Sequence, residues 1–167
     1  MESIKDVEYL WFQPGSSIKK TRKINTRMIS IQFNVKNYDW IPDELPYLFI
    51  RINDASIGEV LKGKKIGRLV INSINSHILQ TIDLNGCDCT YLEIYEGDDI
   101  KTIKNISCFE FSLQDSPHLQ NIENIQCKAD FKIENCRDLI SLKDIKCKKL
   151  SIIKCPKLET LEGDNAI

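Results

Sequence analysis

The hydrophobic pattern of this chain is an alternating apolar pair that returns at nearly constant spacing. In the C-terminal half, Leu92-x-Ile94, Phe111-x-Leu113, Phe131-x-Ile133 and Leu150-x-Ile152 open four units, 19, 20 and 19 residues apart. Eight residues after each start stands Ile100, Leu119, Leu139 or Leu158, and three further on Ile103, Ile122, Leu142 or Leu161. Another step of three reaches Ile106, Ile125 and Ile145, and the fourth unit breaks the series at Asp164. The template continues toward the N-terminus. Leu69-x-Ile71 opens a unit of 23 residues and Leu48-x-Ile50 one of 21. Ile29-x-Ile31 and Leu10-x-Phe12 lie 19 and a further 19 residues earlier, although Asn37 and Trp40 fit the later registers poorly. The pattern predicts eight coils.

An alternating triplet puts both apolar side chains on one face of a short strand. Such a strand cannot bury that face alone, and stacking coil on coil merges the apolar rows into one core. The expected fold is a single solenoid domain over residues 1–167. Parallel strands near 9–13, 28–32, 47–51, 68–72, 91–95, 110–114, 130–134 and 149–153 form its concave sheet. About 20 residues per coil leave little room for a helix, so the convex side should be extended, turn-like or 3₁₀. The longer stretch across coils four and five has space for a short helical turn.

The pattern resembles the leucine-rich repeat family, whose unit reads L-x-x-L-x-L-x-x-N/C-x-L. The position five residues after each start holds Gly15, Asn34, Asn53, Ile74, Gly97, Ser116, Cys136 and Cys155, four of them the Asn or Cys of that motif. The runs Glu-Asn-Cys136-Arg-Asp-Leu139 and Ile-Lys-Cys155-Pro-Lys-Leu158 are similar to the cysteine-containing, short irregular subtype. The resemblance covers about residues 7–162. It implies a curved solenoid that binds another macromolecule, a fold-level analogy shared by unrelated functions.

Composition adds context. There are 26 Ile and only 3 Ala among 167 residues, the skew of an AT-rich genome. Seven Cys are present, an odd number that argues against a secreted disulfide framework. Cys89, Cys108, Cys127 and Cys147 recur 19, 19 and 20 residues apart, and Cys136 and Cys155 form a second column, so they read as small buried core residues. The charged start, Met1 to Glu8, does not have the form of a secretory signal, and no apolar run reaches the roughly 18 residues of a membrane span. The expected setting is intracellular and reducing, cytoplasm or nucleus, without membrane association.

Candidate chemistry is sparse. Cys87-x-Cys89 is too close for a structural zinc pair, and neither His77 nor His118 has a ligand at helical spacing, so no metal is expected. Gly63-Lys64-Lys65 lacks the rest of a phosphate loop. Glu93, Glu96, Asp98 and Asp99 do not follow an EF-hand spacing and read as a solvated edge. The register puts Cys108 in the core and His118 on an outer turn, which separates the nearest thiol from the nearest base. The chain is expected to be no enzyme and to need no cofactor.

The strand residues that alternate with the core should face outward. In the first five coils these include Tyr9, Trp11, Met28, Tyr47, Phe49, Arg51, Arg68, Tyr91 and Tyr95, with Ser30, Val70 and Asn72 between them. Aromatic residues and Arg are the usual carriers of interface energy, so this face is the expected partner-binding surface. Net charge is only −1, but it is segregated. Residues 91–127 carry seven acids and two Lys, and residues 128–157 carry nine Lys or Arg and four acids. Lys19, Lys20, Arg22 and Lys23, with Lys148 and Lys149, are possible polyanion contacts. The leading expectation is a non-catalytic protein-protein interaction module or assembly subunit. The alternatives are an RNA or ribonucleoprotein-binding factor using the basic groups, and a structural protein self-associating through its solenoid ends.

Overall fold

Each alternating segment becomes a strand whose neighbour is the equivalent segment of the next coil. A computed structural model describes residues 7–12, 26–31, 40–51, 57–73 and 80–163. The elements are β1 (Val7–Phe12), β2 (Thr26–Ile31), β3 (Glu44–Arg51), α1 (Ile57–Leu61), β4 (Lys65–Asn72), β5 (Thr81–Asp83), β6 (Asp88–Tyr95), β7 (Thr102–Gln114), β8 (Asn121–Cys127), β9 (Asp130–Glu134), β10 (Ser141–Lys146), β11 (Lys149–Ile153) and β12 (Thr160–Leu161). They wind into a parallel β-solenoid of about six turns with almost no helix. No helix among the described residues is long and apolar enough to cross a membrane.

The front ladder runs β1-β2-β3-β4-β6-β7-β9-β11, every pair parallel. Its register puts Leu10, Ile29, Leu48, Leu69, Leu92, Phe111, Phe131 and Leu150 in one row. From Ile29 to Phe131 these side chains are buried in the common core, and Phe111 and Phe131 stack with centroids 4.7 Å apart and planes 7° from parallel. Burying one such side chain stabilises by about 1.5–3 kcal/mol, so the row is a principal source of stability.

The return wall is more regular than its spacing implied. β5, the first half of β7, β8, β10 and β12 form a second parallel ladder with Ile82, Ile103, Ile122, Leu142 and Leu161 in register. The reason lies at Asn105, Asn124 and Asp144, whose φ angles of 57°, 53° and 51° are left-handed. That bend resets side-chain direction, so apolar residues three apart, such as Ile103 and Ile106, both enter the core. A second left-handed column, Glu96, Asp115, Asn135 and Lys154, turns the chain out of the front ladder. Asn and Asp tolerate this geometry, which costs other L-residues roughly 1–2 kcal/mol. Their side chains also tie the coils together. Asn124 Nδ2 donates to Asn105 Oδ1 at 2.8 Å, Asn105 Nδ2 to Asp83 Oδ1 at 3.0 Å, and Asn135 Nδ2 to Asp115 Oδ1 at 2.7 Å.

One helical turn lies in the coil before the stretch where a turn was expected. α1 lies between β3 and β4, in the 21-residue unit, where Ile57 and Leu61 bury the same face one turn apart. In the fourth coil, residues 74–79 lie outside the described set.

The cysteines line the interior. Cys89, Cys108 and Cys127 are register partners, Cys147 and Cys136 are also buried, and Cys155 in the last coil is half-buried. All seven thiols are unbridged. Cys136 Sγ donates to Glu134 O at 3.6 Å, Cys155 Sγ to Ile153 O at 3.4 Å, and Ser116 Oγ to Gln114 O at 3.4 Å, so one inward column closes three successive turns. Hydrogen bonding to Cys127 and burial push the Cys108 thiol up, and burial pushes Cys136 up to about 12.

Two outcomes follow from these columns. Asn124→Ala loses both left-handed tolerance and the bond to Asn105, and should destabilise by about 1–3 kcal/mol in urea unfolding; Asn124→Gly should cost less. Equal losses would remove the conformational part of this account. Pulse alkylation read by mass spectrometry should modify Cys155 first and the remaining six thiols only on unfolding.

Candidate functional site on the outer face of the front ladder

Alternation leaves three outward columns on the front ladder. One holds Tyr9, Met28, Tyr47, Arg68, Tyr91 and Glu110; the next holds Trp11, Ser30, Phe49, Val70, Glu93 and Ser112. The third begins at Arg51 and continues through Asn72, Tyr95 and Gln114. Strands of a sheet lie about 4.8 Å apart, so neighbours in a column touch and longer side chains reach diagonally.

Those diagonals organise the patch. Arg68 Nη2 donates to Glu93 Oε2 at 2.7 Å, and the same guanidinium lies 5.8 Å from the centre of the Tyr47 ring. The Glu93 hydrogen bond raises the Arg68 pKa above its ordinary value. Phe49 and Tyr95 approach at 6.5 Å between centroids, tilted by 48°. Burial pushes the Tyr95 phenol up, partly offset by a hydrogen bond with Asn72. Asn72 Nδ2 donates to Glu96 Oε2 at 2.7 Å.

The nine partner-binding residues expected from the sequence lie on this one face, but they are not equally available. Tyr9, Trp11 and Tyr91 are 48%, 50% and 45% exposed. Arg68 is exposed, while Met28, Tyr47, Phe49, Arg51 and Tyr95 are half-buried. Ser30, Val70 and Asn72 point outward by register and are nevertheless buried. Val70 has the Phe49 ring as its register partner on β3, and Asn72 has the Tyr95 ring as its register partner on β6. Glu93 is the residue that the expected contact set left out, and it carries the ionic anchor. Its signal was the diagonal offset from Arg68, one strand on and one column across.

No protein-family model, curated protein or solved structure matches the chain. The properties of the face therefore follow from its own side chains. Between Arg68, Tyr91, Glu93, Glu110, Ser112 and Lys132 it dips into an open groove of about 770 Å³. Beyond Tyr95 its chemistry changes to Glu110, Gln114, Lys132 and Glu134, with Lys132 and Glu134 paired at 2.6 Å.

The polyanion candidates are not brought together as a set. Lys19, Lys20, Arg22 and Lys23 lie outside the described residues. Lys148 and Lys149 are exposed at the C-terminal end, and Lys149 sits 3.6 Å from Asp130. On the outer turns, His118 Nδ1 and Lys157 Nζ flank Asp138 at 3.2 and 2.6 Å, which holds its carboxyl below the usual range. Among the described residues no group of three or more His, Cys, Asp and Glu side chains is arranged to hold a metal.

A double-mutant cycle over Arg68→Ala and Glu93→Ala should give a coupling of about 0.2–1 kcal/mol in folding stability, as for other partly exposed pairs. A zero coupling would mean that the Tyr47 ring, not Glu93, positions the guanidinium.

Proposed function

We propose that this chain is a non-catalytic protein-protein interaction module or assembly subunit, binding its partner through the aromatic outer face of the N-terminal coils. The observation that carries the reading is the concentration of half-exposed Tyr9, Trp11 and Tyr91 on one sheet face, beside a guanidinium already fixed by Glu93 and Tyr47. Large aromatic side chains held on a rigid ladder lose little entropy on binding, and the pre-oriented Arg68 adds a directional donor. We read the coils as eight short leucine-rich-repeat-like units. The inward Ser116, Cys136 and Cys155 support this by closing their turns onto the chain, the role of the Asn or Cys position in that motif. The unbridged, mostly buried thiols support a reducing intracellular setting.

The test is the triple variant Trp11→Ala, Tyr47→Ala, Phe49→Ala, with folding checked by circular dichroism. In affinity purification from the native source, the partner retained by the parent chain should be lost, each aromatic contributing about 2 kcal/mol if it lies at the centre of the contact. An unchanged set of partners on a folded variant would sink the reading.

A further inference from the structure

The last coil differs from the coils before it in a way that defines a second surface, separate from the aromatic face. Among the described residues β11 pairs with β9 and with no strand on its other side. Lys149 N–H donates to Ala129 O at 3.3 Å and Ile153 O accepts from Asn135 N–H at 3.0 Å, so residues 149, 151 and 153 turn their peptide groups toward the preceding coil. The alternation of a parallel ladder then turns the N–H and C=O of Leu150 and Ile152 toward the open edge. The side chains beneath that edge are uncovered. Phe131, Ile133 and Leu142 are fully buried, whereas their successors are less so: Leu150 is half-buried, Ile152 36% exposed and Leu161 49% exposed. An apolar row with a free strand edge beside it is a template for strand addition.

Charge decides what the template accepts. Residues 148–157 contain Lys148, Lys149, Lys154 and Lys157 and no acid, and all four lysines are exposed. A second copy paired antiparallel about Ser151 would set Lys148 opposite Lys154, a like-charge cross-strand pair. Edge lysines are a device by which proteins discourage pairing with their own kind. The same lysines attract a strand of opposite charge.

We infer that the free edge of β11 is a strand-addition site for an extended acidic segment of another protein. Alternate apolar side chains of that segment cover Leu150 and Ile152 and continue the core row. Its peptide groups pair with the Leu150 and Ile152 N–H and C=O. Asp or Glu between and beside the apolar positions meets Lys148, Lys149 and Lys154. The aromatic face takes no part, so the triple variant of Trp11, Tyr47 and Phe49 retains this binding.

The experiment titrates the full chain into a fluorescein-labelled nine-residue peptide alternating Val and Glu, with a peptide alternating Val and Lys as comparator, read by anisotropy. The acidic peptide should bind at least tenfold more tightly than the basic one, and its affinity should fall as salt rises. Ile152→Pro removes an N–H that faces away from β9, a position where an edge strand tolerates Pro, and should weaken binding at least tenfold with an unchanged thermal midpoint. Lys148→Glu with Lys149→Glu and Lys154→Glu, which leaves the backbone intact, should weaken it similarly. Equal affinity for both peptides, or full affinity in both variants, overturns the proposal. A stable dimer in light scattering that is lost in Ile152→Pro would make a second copy the occupant, and would also overturn it. So would absence of peptide binding together with slow hydrogen exchange at the Leu150 and Ile152 amides of the monomer, which would mean that the chain covers its own edge.

Discussion

Register between successive coils is the constraint on which everything else in this molecule depends. A strand such as β6 has only two or three inward residues, and it buries them only where β4 and β7 lie alongside with the same residues in line. A slip of one residue would carry Leu92 and Ile94 to the outer face and bring Tyr91, Glu93 and Tyr95 into the core. Hydrogen bonding along the ladders and apolar burial across them therefore enforce the same alignment. The Asn and Asp bonds at the left-handed corners add a third lock, because Asn124 meets Asn105, and Asn135 meets Asp115, only when the coils are in phase.

Much of this architecture was legible in the chain, and the reasons for the remainder are physical. Leu92 and Ile94 announce a strand because side chains alternate with period two, and four copies of that signal at near-equal spacing announce a stack. The cysteine columns were legible for the same reason. The second ladder was not, because Ile103 and Ile106 are three apart, which fits neither a strand nor an obvious turn. What reconciles them is a left-handed Asn105, and backbone handedness leaves no trace in a hydropathy pattern. In a chain as rich in Asn as this one, the repeat of Asn105 and Asn124 is also easily lost among its neighbours.

The outer face shows a different limit. Its membership followed from alternation, and Tyr9, Trp11 and Tyr91 are as open as that rule implies. Exposure within it did not follow, because Val70 and Asn72 are buried although they point outward, each beside an aromatic ring, Phe49 or Tyr95, of a neighbouring strand. The Arg68–Glu93 pair spans two strands 25 residues apart in sequence, so it becomes visible only when the register is known. The face is thus a set of pre-packed groups, with Tyr47, Arg68 and Glu93 in one and Phe49 and Tyr95 in the other.

One detail of the register bears on how such a chain changes in length. β7 pairs Cys108 with Cys127 and then Phe111 with Phe131, so two residues separate the paired positions on one strand and three on the other. The additional residue of this 20-residue coil is absorbed at Lys128–Ala129, whose amides still bond to Cys108 O and Phe109 O at 3.0 and 2.8 Å. Neither Lys128 nor Ala129 is left-handed, and the Cys127 thiol beside them spans the corner, with Phe109 O and Asp130 O at 3.3 and 3.2 Å. It is a joint at which one added residue leaves both sheets aligned, so a coil can lengthen here without a slip in either ladder.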